Sequence, residues 1–593
     1  MTTPTLVRLA RGLLSLALGV APALGAADND RRHSRLPRLA PATPATLVGS
    51  CEALVGQLVL ANTTITASTT VPAGTLALAG QPVPAHCRVT GRMFERVSPV
   101  DGKAYAIAFE MRLPIAWNGR FWHQGNGGID GSVTPATGVF GGGPTTGALL
   151  QGFAVLSSDA GHTLLQGGPA FGLDPQARLD YGYQAVGKLT PMARQLITTA
   201  YGKGPDRSYF GGCSNGGRHT LIAAARYAAD YDGFLAGAPG FNLPLAALAN
   251  IFGGQRYATV ATGDPATPAG LETAFTAEER KTVANAVLAR CDALDGAVDG
   301  LVQDTRTCQR RFDFMRHVPT CAGARDGSCL SQAQKIAIAP IFSGATTRNG
   351  QPFYASFPFD SGIGAGGIPF WEFTAPLLLD SGAVGVIFKV PPSMSALTNG
   401  PAWALSADID ATLAELFATD ATYTESAMSF MTPPDATELS DVRRRGAKII
   451  AYHGVSDPIF SIDDTKRWYR GVDRRSGGDA DSFARLYPVP GMGHCSGGPA
   501  TDQADFITPL IDWVERGKAP AGIVASARGA GNAGGQNPEV PADWSATRTR
   551  PLCPYPSVAR YKGHGSVESA SSFVCREDQK HDHGHHDHHD HHD

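Results

Sequence analysis

The stretch that most constrains this chain covers residues 209–220 and reads Tyr-Phe-Gly-Gly-Cys-Ser-Asn-Gly-Gly-Arg-His-Thr. Within it, Gly212-Cys213-Ser214-Asn215-Gly216 has the G-x-S-x-G spacing of a nucleophile elbow. The spacing has a physical reason. A serine hydroxyl becomes a useful nucleophile only when it is exposed and beside a base. A sharp strand-to-helix turn lifts it above a sheet edge, and such a turn tolerates only small neighbours. In a chain with 70 glycines the pattern also arises by chance, so the flanks decide. Tyr209 and Phe210 can end a buried strand, and Leu221-Ile222-Ala223-Ala224-Ala225 continues as a good helix. The competing reading is a glycine-rich turn with a passive serine.

The partners of Ser214 come later in the chain. Lys448-Ile449-Ile450-Ala451-Tyr452 reads as a strand and runs into His453-Gly454-Val455-Ser456-Asp457, which puts Asp457 where a triad acid belongs. The next strand candidate, residues 483–489, leads into Pro490-Gly491-Met492-Gly493-His494-Cys495. The order Ser214, Asp457, His494 is that of α/β-hydrolases, in which the serine attacks, the histidine moves the proton and the aspartate orients the imidazole. His453 and His162 are rival bases. Cys213 precedes Ser214 and Cys495 follows His494. If serine and imidazole meet, the two cysteines are carried together and can form a disulfide.

Upstream, Arg120-Phe121-Trp122-His123 runs into Gln124-Gly125-Asn126-Gly127-Gly128. A strand ending in such a loop is where this fold places one half of its oxyanion hole, so the Gly128 and Asn215 amides are the candidate donors. The spacing also predicts strands over 105–113 and 153–157 and helices over 183–201, 277–290 and 507–516. This alternation of strands and helices argues for a parallel sheet covered on both faces.

At 593 residues the chain has room for more than one domain. Its net charge of −3 and low charged fraction of 17% give no footprint for nucleic acid. Arg8, Arg11, the apolar run 13–20 and the small residues 23–27 read as a signal peptide over 1–27, followed by a linker over 28–48. No later stretch reads as transmembrane, so no stable membrane association is expected. The strand–helix rhythm holds over 49–241, gives way to Gly/Pro-rich irregular sequence over 242–440, and resumes over 441–579. That pattern suits a hydrolase core with a large inserted lid. Residues 580–593 form a His/Asp-rich tail, expected to be disordered and able to bind transition metals loosely.

Ten cysteines behind an export signal suggest five disulfides. Cys51 and Cys87 bracket the entry segment, Cys291 and Cys308 flank a carboxylate-rich loop, and Cys553 and Cys575 lie in the C-terminal segment. In the loop, Asp292, Asp295 and Asp299 with the carbonyls of Ala297 and Leu301 can wrap oxygen ligands around Ca²⁺, although the spacing is not that of an EF-hand. A pair of Asp-Gly turns is the plain alternative.

The stretches 211–217, 291–300, 453–457, 489–499 and 548–556 together resemble the tannase and feruloyl esterase family of α/β-hydrolases, including its bacterial MHETase-like branch. The resemblance covers roughly residues 49 to 576. It implies a catalytic domain with an inserted lid, a structural Ca²⁺ in that lid, and the bridge Cys213–Cys495. It also implies the pairs Cys51–Cys87, Cys291–Cys308, Cys321–Cys329 and Cys553–Cys575. Aromatic acyl esters are the implied substrates, with Trp371, Phe388, Trp403 and Phe460 as pocket candidates. In the MHETase-like branch a lid arginine holds the free carboxylate of the substrate. Here no arginine lies between Arg348 and Arg443, and Lys389 is the only lysine there. A neutral phenolic ester, feruloyl or galloyl, is therefore expected. Hydrolysis of mono(2-hydroxyethyl) terephthalate is the alternative, and a calcium-stabilised binding protein with a vestigial triad is the alternative of another class.

Overall fold

The computed structural model describes residues 37–577 apart from 140 and 142–144. The expected signal peptide and the His/Asp-rich tail lie outside the described residues, as does the first part of the linker.

Nine strands form the central sheet: β1 (Thr63–Val71), β2 (His86–Val97), β3 (Ala104–Pro114), β4 (Arg120–Gln124), β5 (Ala154–Ser158), β6 (Arg207–Cys213), β7 (Gly233–Gly237), β8 (Lys448–Gly454) and β9 (Ala484–Val489). Their spatial order is β1-β2-β3-β5-β4-β6-β7-β8-β9. The pairs from β5 through β4 to β9 are parallel, and those from β5 through β3 to β1 are antiparallel. Burial follows pairing. Strands β7 and β8 are buried at every residue, as expected for parallel strands covered on both faces, whereas the first half of β2 alternates buried with more exposed positions.

The covering helices include α1 (Ala185–Tyr201), α2 (Asn215–Arg226), α3 (Leu243–Ala258), α4 (Ala277–Cys291), α5 (Gln332–Ser343), α6 (Ile462–Arg475) and α7 (Ile507–Arg516). Leu189 and Leu196 of α1, Leu221 of α2 and Trp468 and Val472 of α6 share one apolar cluster with the sheet. Leu510, Trp513 and Val514 of α7 share another with Trp122 and Tyr209. The chain has an α/β fold, with two apolar layers around a mixed sheet.

Residues 242–440 lie between β7 and β8 and contribute no strand to the central sheet. They are far more helical than their composition suggests. Helix α3 tolerates Pro244 at its start, and Gly254 sits where an added Cβ would stand 3.1 Å from Pro376. Glycine there permits close packing rather than marking a loop. Three π-helical turns, Phe370–Thr374, Pro376–Asp380 and Ala383–Phe388, follow in succession. No sequence pattern predicted them, because apolar residues fill every side of these turns and leave no periodic polar face to read.

All five disulfides form: Cys51–Cys87, Cys213–Cys495, Cys291–Cys308, Cys321–Cys329 and Cys553–Cys575. Among the described residues no helix is long and apolar enough to cross a membrane.

Candidate active site

Strand β6 ends at Cys213 and helix α2 begins at Asn215, so Ser214 is the whole of the turn between them. Its backbone has φ 65° and ψ −127°, a left-handed setting that a non-glycine residue adopts only under constraint. The glycines of the motif make the turn possible. A Cβ on either Gly212 or Gly216 would lie 2.3 Å from the Gly125 carbonyl, so the elbow and the loop after β4 approach backbone to backbone. A Cβ placed on Gly127 would stand 3.9 Å from the Ser214 Cβ. The glycine loop therefore adjoins the serine. Gly128 itself has φ 62° with open space where a side chain would be. Asn215 opens α2, and first-turn amides have no intrahelical acceptor.

The loop after β9 brings His494 to the serine. His494 Nε2 is 2.8 Å from Ser214 Oγ, and His494 Nδ1 is 2.8 Å from Asp457 Oδ2. Asp457 also accepts the backbone amides of Ile459 and Phe460 at 3.0 Å. Its side chain has no exposure and that of His494 has 7%. Burial alone would raise the Asp457 pKa. The charge and hydrogen bonds of His494 and His453 outweigh it and hold the carboxyl well below the usual range. The bridge between Cys213 and Cys495, with Cα atoms 6.1 Å apart, ties the serine turn to the histidine loop. Cys495, like Ser214, is a non-glycine residue at positive φ, here 64°.

The rival histidines lie elsewhere. His453 is fully buried behind the acid, with Nε2 bonded to the Phe460 carbonyl at 2.8 Å and 3.2 Å from Asp457 Oδ2, and Nδ1 at Thr465 Oγ1. His162 bonds the Ile129 carbonyl and stacks on Phe171 at 3.6 Å between ring centroids; burial lowers its pKa to about 4.

Of the four aromatic pocket candidates, two reach His494. Trp371 and Phe460 meet the His494 ring edge-on, with centroids 4.7 and 5.3 Å away. Phe388 is fully buried in the apolar cluster that also holds Phe460, and Trp403 packs half-buried beside Gly385. Residues 354–363 strap this region to the triad loops. Asp360 Oδ2 accepts both Ser456 Oγ and the Gly491 amide at 2.7 Å, and Tyr354 Oη accepts the Ser461 amide at 3.1 Å. No local sequence pattern marks Asp360.

In the carboxylate-rich loop, Asp292 accepts the amides of Asp299 and Gly300 at 3.0 Å, and Asp295 Oδ1 accepts the Ala297 amide at 3.1 Å. Asp299 accepts the Leu301 amide and pairs with Arg550. Asp295 Oδ2 is buried without a hydrogen-bond partner among the described residues. Burial, and then the charges of Asp299 and Asp292, push the Asp295 carboxyl up to about 7. Among the described residues no group of three or more His, Cys, Asp or Glu side chains has metal-site geometry.

Comparison with known proteins places the chain in a family. The family profile described as tannase and feruloyl esterase matches residues 87–576. A mono(2-hydroxyethyl) terephthalate hydrolase of Piscinibacter sakaiensis is 37% identical over 563 residues, covering 89% of this chain and 91% of its own. A probable feruloyl esterase B-1 of Aspergillus fumigatus is 30% identical over 484 residues, covering 79% of this chain and 82% of its own. The crystal structure of feruloyl esterase B from Aspergillus oryzae superposes with a TM-score of 0.68 at 25% identity, covering 89% of this chain and 99% of that one. A match spanning sheet, elbow and intervening segment alike is a match of the whole architecture: the chain belongs to the tannase and feruloyl esterase family and is a carboxylic ester hydrolase of α/β-hydrolase type.

Proposed function

We propose that this chain is an exported serine esterase that cleaves esters of phenolic aromatic acids, such as feruloyl or galloyl esters, through an acyl-enzyme. The observation that carries the reading is the continuous relay Ser214–His494–Asp457, with both bonds at 2.8 Å. Ser214 Oγ attacks the acyl carbonyl while His494 Nε2 takes its proton. The tetrahedral oxyanion is received by the Gly128 and Asn215 amides. His494 returns the proton to the alcohol as the C–O bond breaks, leaving the acyl group on Ser214. Water, deprotonated by the same imidazole, then releases the acid and restores the serine. Asp457 keeps the proton on His494 Nδ1 and stabilises the imidazolium. Trp371 and Phe460 flank the imidazole, which favours a flat aromatic acyl group beside it.

A terephthalate monoester is the second reading, favoured by the 37% identical relative. Its free carboxylate needs a cation. Lys389, the only lysine between Arg348 and Arg443, sits 3.1 Å from Glu415, and Arg348 is paired with Asp408. Hydrolysis of methyl ferulate, methyl gallate, mono(2-hydroxyethyl) terephthalate and a short aliphatic ester, each with Ser214→Ala alongside, separates the readings. The phenolic esters are expected to be turned over fastest, with all activity lost in the variant. Preference for the terephthalate monoester would replace the first reading by the second.

Asp292, Asp295 and Asp299, with the Ala297 and Leu301 carbonyls, are the residues that would hold a structural Ca²⁺. Asp295 Oδ2, which has no hydrogen-bond partner among the described residues, supports this, since a divalent cation would satisfy it. Chelation is expected to lower the thermal midpoint while leaving the initial rate intact at low temperature. An immediate loss of rate without a change in midpoint would contradict a structural role. Export accords with five disulfides, which persist in oxidising compartments.

A further inference from the structure

The loop after β4 and the N-terminus of α2 each bring one candidate oxyanion donor to Ser214, and neither belongs to the other's element. Something must fix their separation, because a hole misaligned by even a fraction of an ångström stabilises the oxyanion poorly. The side chains beneath the serine form a closed polar circuit that joins the two. Asp130, two residues past Gly128, accepts at its Oδ2 from Asn215 Nδ2 at 2.7 Å and lies 2.9 Å from His219 Nε2. Arg218 Nε donates to Asn215 Oδ1 at 2.7 Å, which fixes which face of the Asn215 amide meets Asp130. The rest of that guanidinium donates to the Tyr181 and Gly182 carbonyls at 2.9 and 2.7 Å. Tyr181 Oη returns the circuit to the glycine loop by donating to the Gly128 carbonyl at 3.4 Å.

We infer that Asp130 is a positioning residue that locks the two halves of the oxyanion hole to each other through the Asn215 side chain. The inference rests on the serine-esterase reading above. Burial strengthens it. Asp130 is 8% exposed, Asn215 1%, Arg218 0% and His219 4%, so water cannot replace a lost bond, and an unpartnered group there is costly. Backbone geometry agrees. Asp130 has φ 55° and its amide closes a turn on the Gly127 carbonyl at 3.2 Å, so a strained non-glycine residue is kept where its carboxylate reaches α2. The circuit uses no atom of the Ser214–His494–Asp457 relay. Asp130 therefore acts on transition-state stabilisation and not on proton transfer.

The test compares Asp130→Ala, Asp130→Asn and Asn215→Ala with the intact protein on methyl ferulate, and measures inhibition by phenylboronic acid, whose tetrahedral serine adduct places an oxygen in the hole. For Asp130→Ala, kcat is expected to fall on the order of 100-fold with KM changed less than about threefold, and boronate affinity to weaken with kcat/KM. Asp130→Asn keeps a carbonyl acceptor for Asn215 and is expected to recover most of the loss. Asn215→Ala, which keeps its backbone amide, is expected to lose kcat in the same way. If Asp130→Ala does not fold, Asn215→Ala alone decides. Folded Asp130→Ala and Asn215→Ala variants with kcat within about threefold of the intact protein, or with unchanged boronate affinity, overturn the inference. Ser214→Ala separates the two levels: if it abolishes turnover while Asp130→Ala and Asn215→Ala keep kcat within about threefold of the intact protein, only the role of Asp130 fails, whereas if it retains turnover the serine-esterase reading fails.

Discussion

Asp457, the acid of the proposed relay, carries more contacts than one histidine requires. Its Oδ2 meets His494 at 2.8 Å and His453 at 3.2 Å, and its Oδ1 takes two backbone amides. These contacts hold the carboxylate ionised and in one orientation, so its contribution to stability is present above the ordinary carboxyl pKa and is lost only in strong acid. Asp457→Asn would keep much of this geometry while offering an amide N–H toward a ring nitrogen, which favours the wrong tautomer of His494. The expected outcome is a fall in kcat of about 10⁴-fold at neutral pH with little change in KM, by analogy with the serine-protease triad. A loss of less than about tenfold would mean that Asp457 does not set the tautomer of His494.

At the scale of elements, the segment between β7 and β8 has its own electrostatic signature. Asp380, in the middle π-helical turn, is almost fully buried, and Asn250 Nδ2 of α3 bonds both its Oδ2 and the Trp371 carbonyl at 2.8 Å. Burial pushes the Asp380 carboxyl up to about 7. The folded state therefore binds a proton that the unfolded chain has already released above about pH 4, and this group's share of stability falls as pH rises from there to about 7. Asp380→Asn keeps a carbonyl acceptor for Asn250 and removes the titration. Its unfolding free energy is expected to decline less between about pH 5 and pH 8 than that of the parent, by about 3 kcal/mol. Parallel stability curves would contradict the assignment. The same segment marks the limit of what the sequence makes legible. The elbow, the acid loop and the histidine loop each sit beside a strand with a short, strongly patterned signature, and helix 507–516 is found where periodicity puts it. Helix α3 is masked by Pro244, Gly253 and Gly254, whose effect depends on packing partners far along the chain. For the same reason Phe388, which reads as a pocket aromatic, lies in the core, and Asp130, Asp360 and His453 show their roles only once loops distant in sequence are brought together.

At the scale of the whole molecule, the fold joins parts of the candidate site that the chain order separates widely. Ser214 precedes His494 by 280 residues, with the entire segment 242–440 between them. The sheet brings β6, β7, β8 and β9 side by side in parallel, so the serine turn and the acid and histidine loops emerge along one edge. The bridge Cys213–Cys495 then fixes the first to the last. The segment 242–440 sets Trp371 against the His494 ring and is strapped back through Asp360 to the loops that carry Asp457 and His494. The central claim of the proposed mechanism is a covalent acyl group at Ser214, and that is the most direct quantity to measure. Intact protein mixed with methyl ferulate, quenched in acid during turnover and analysed by mass spectrometry with peptide mapping, is expected to carry a feruloyl group on the peptide containing Ser214 and on no other, with none on Ser214→Ala. Undiminished turnover by Ser214→Ala, or a feruloyl group mapped to a different residue, would contradict the account.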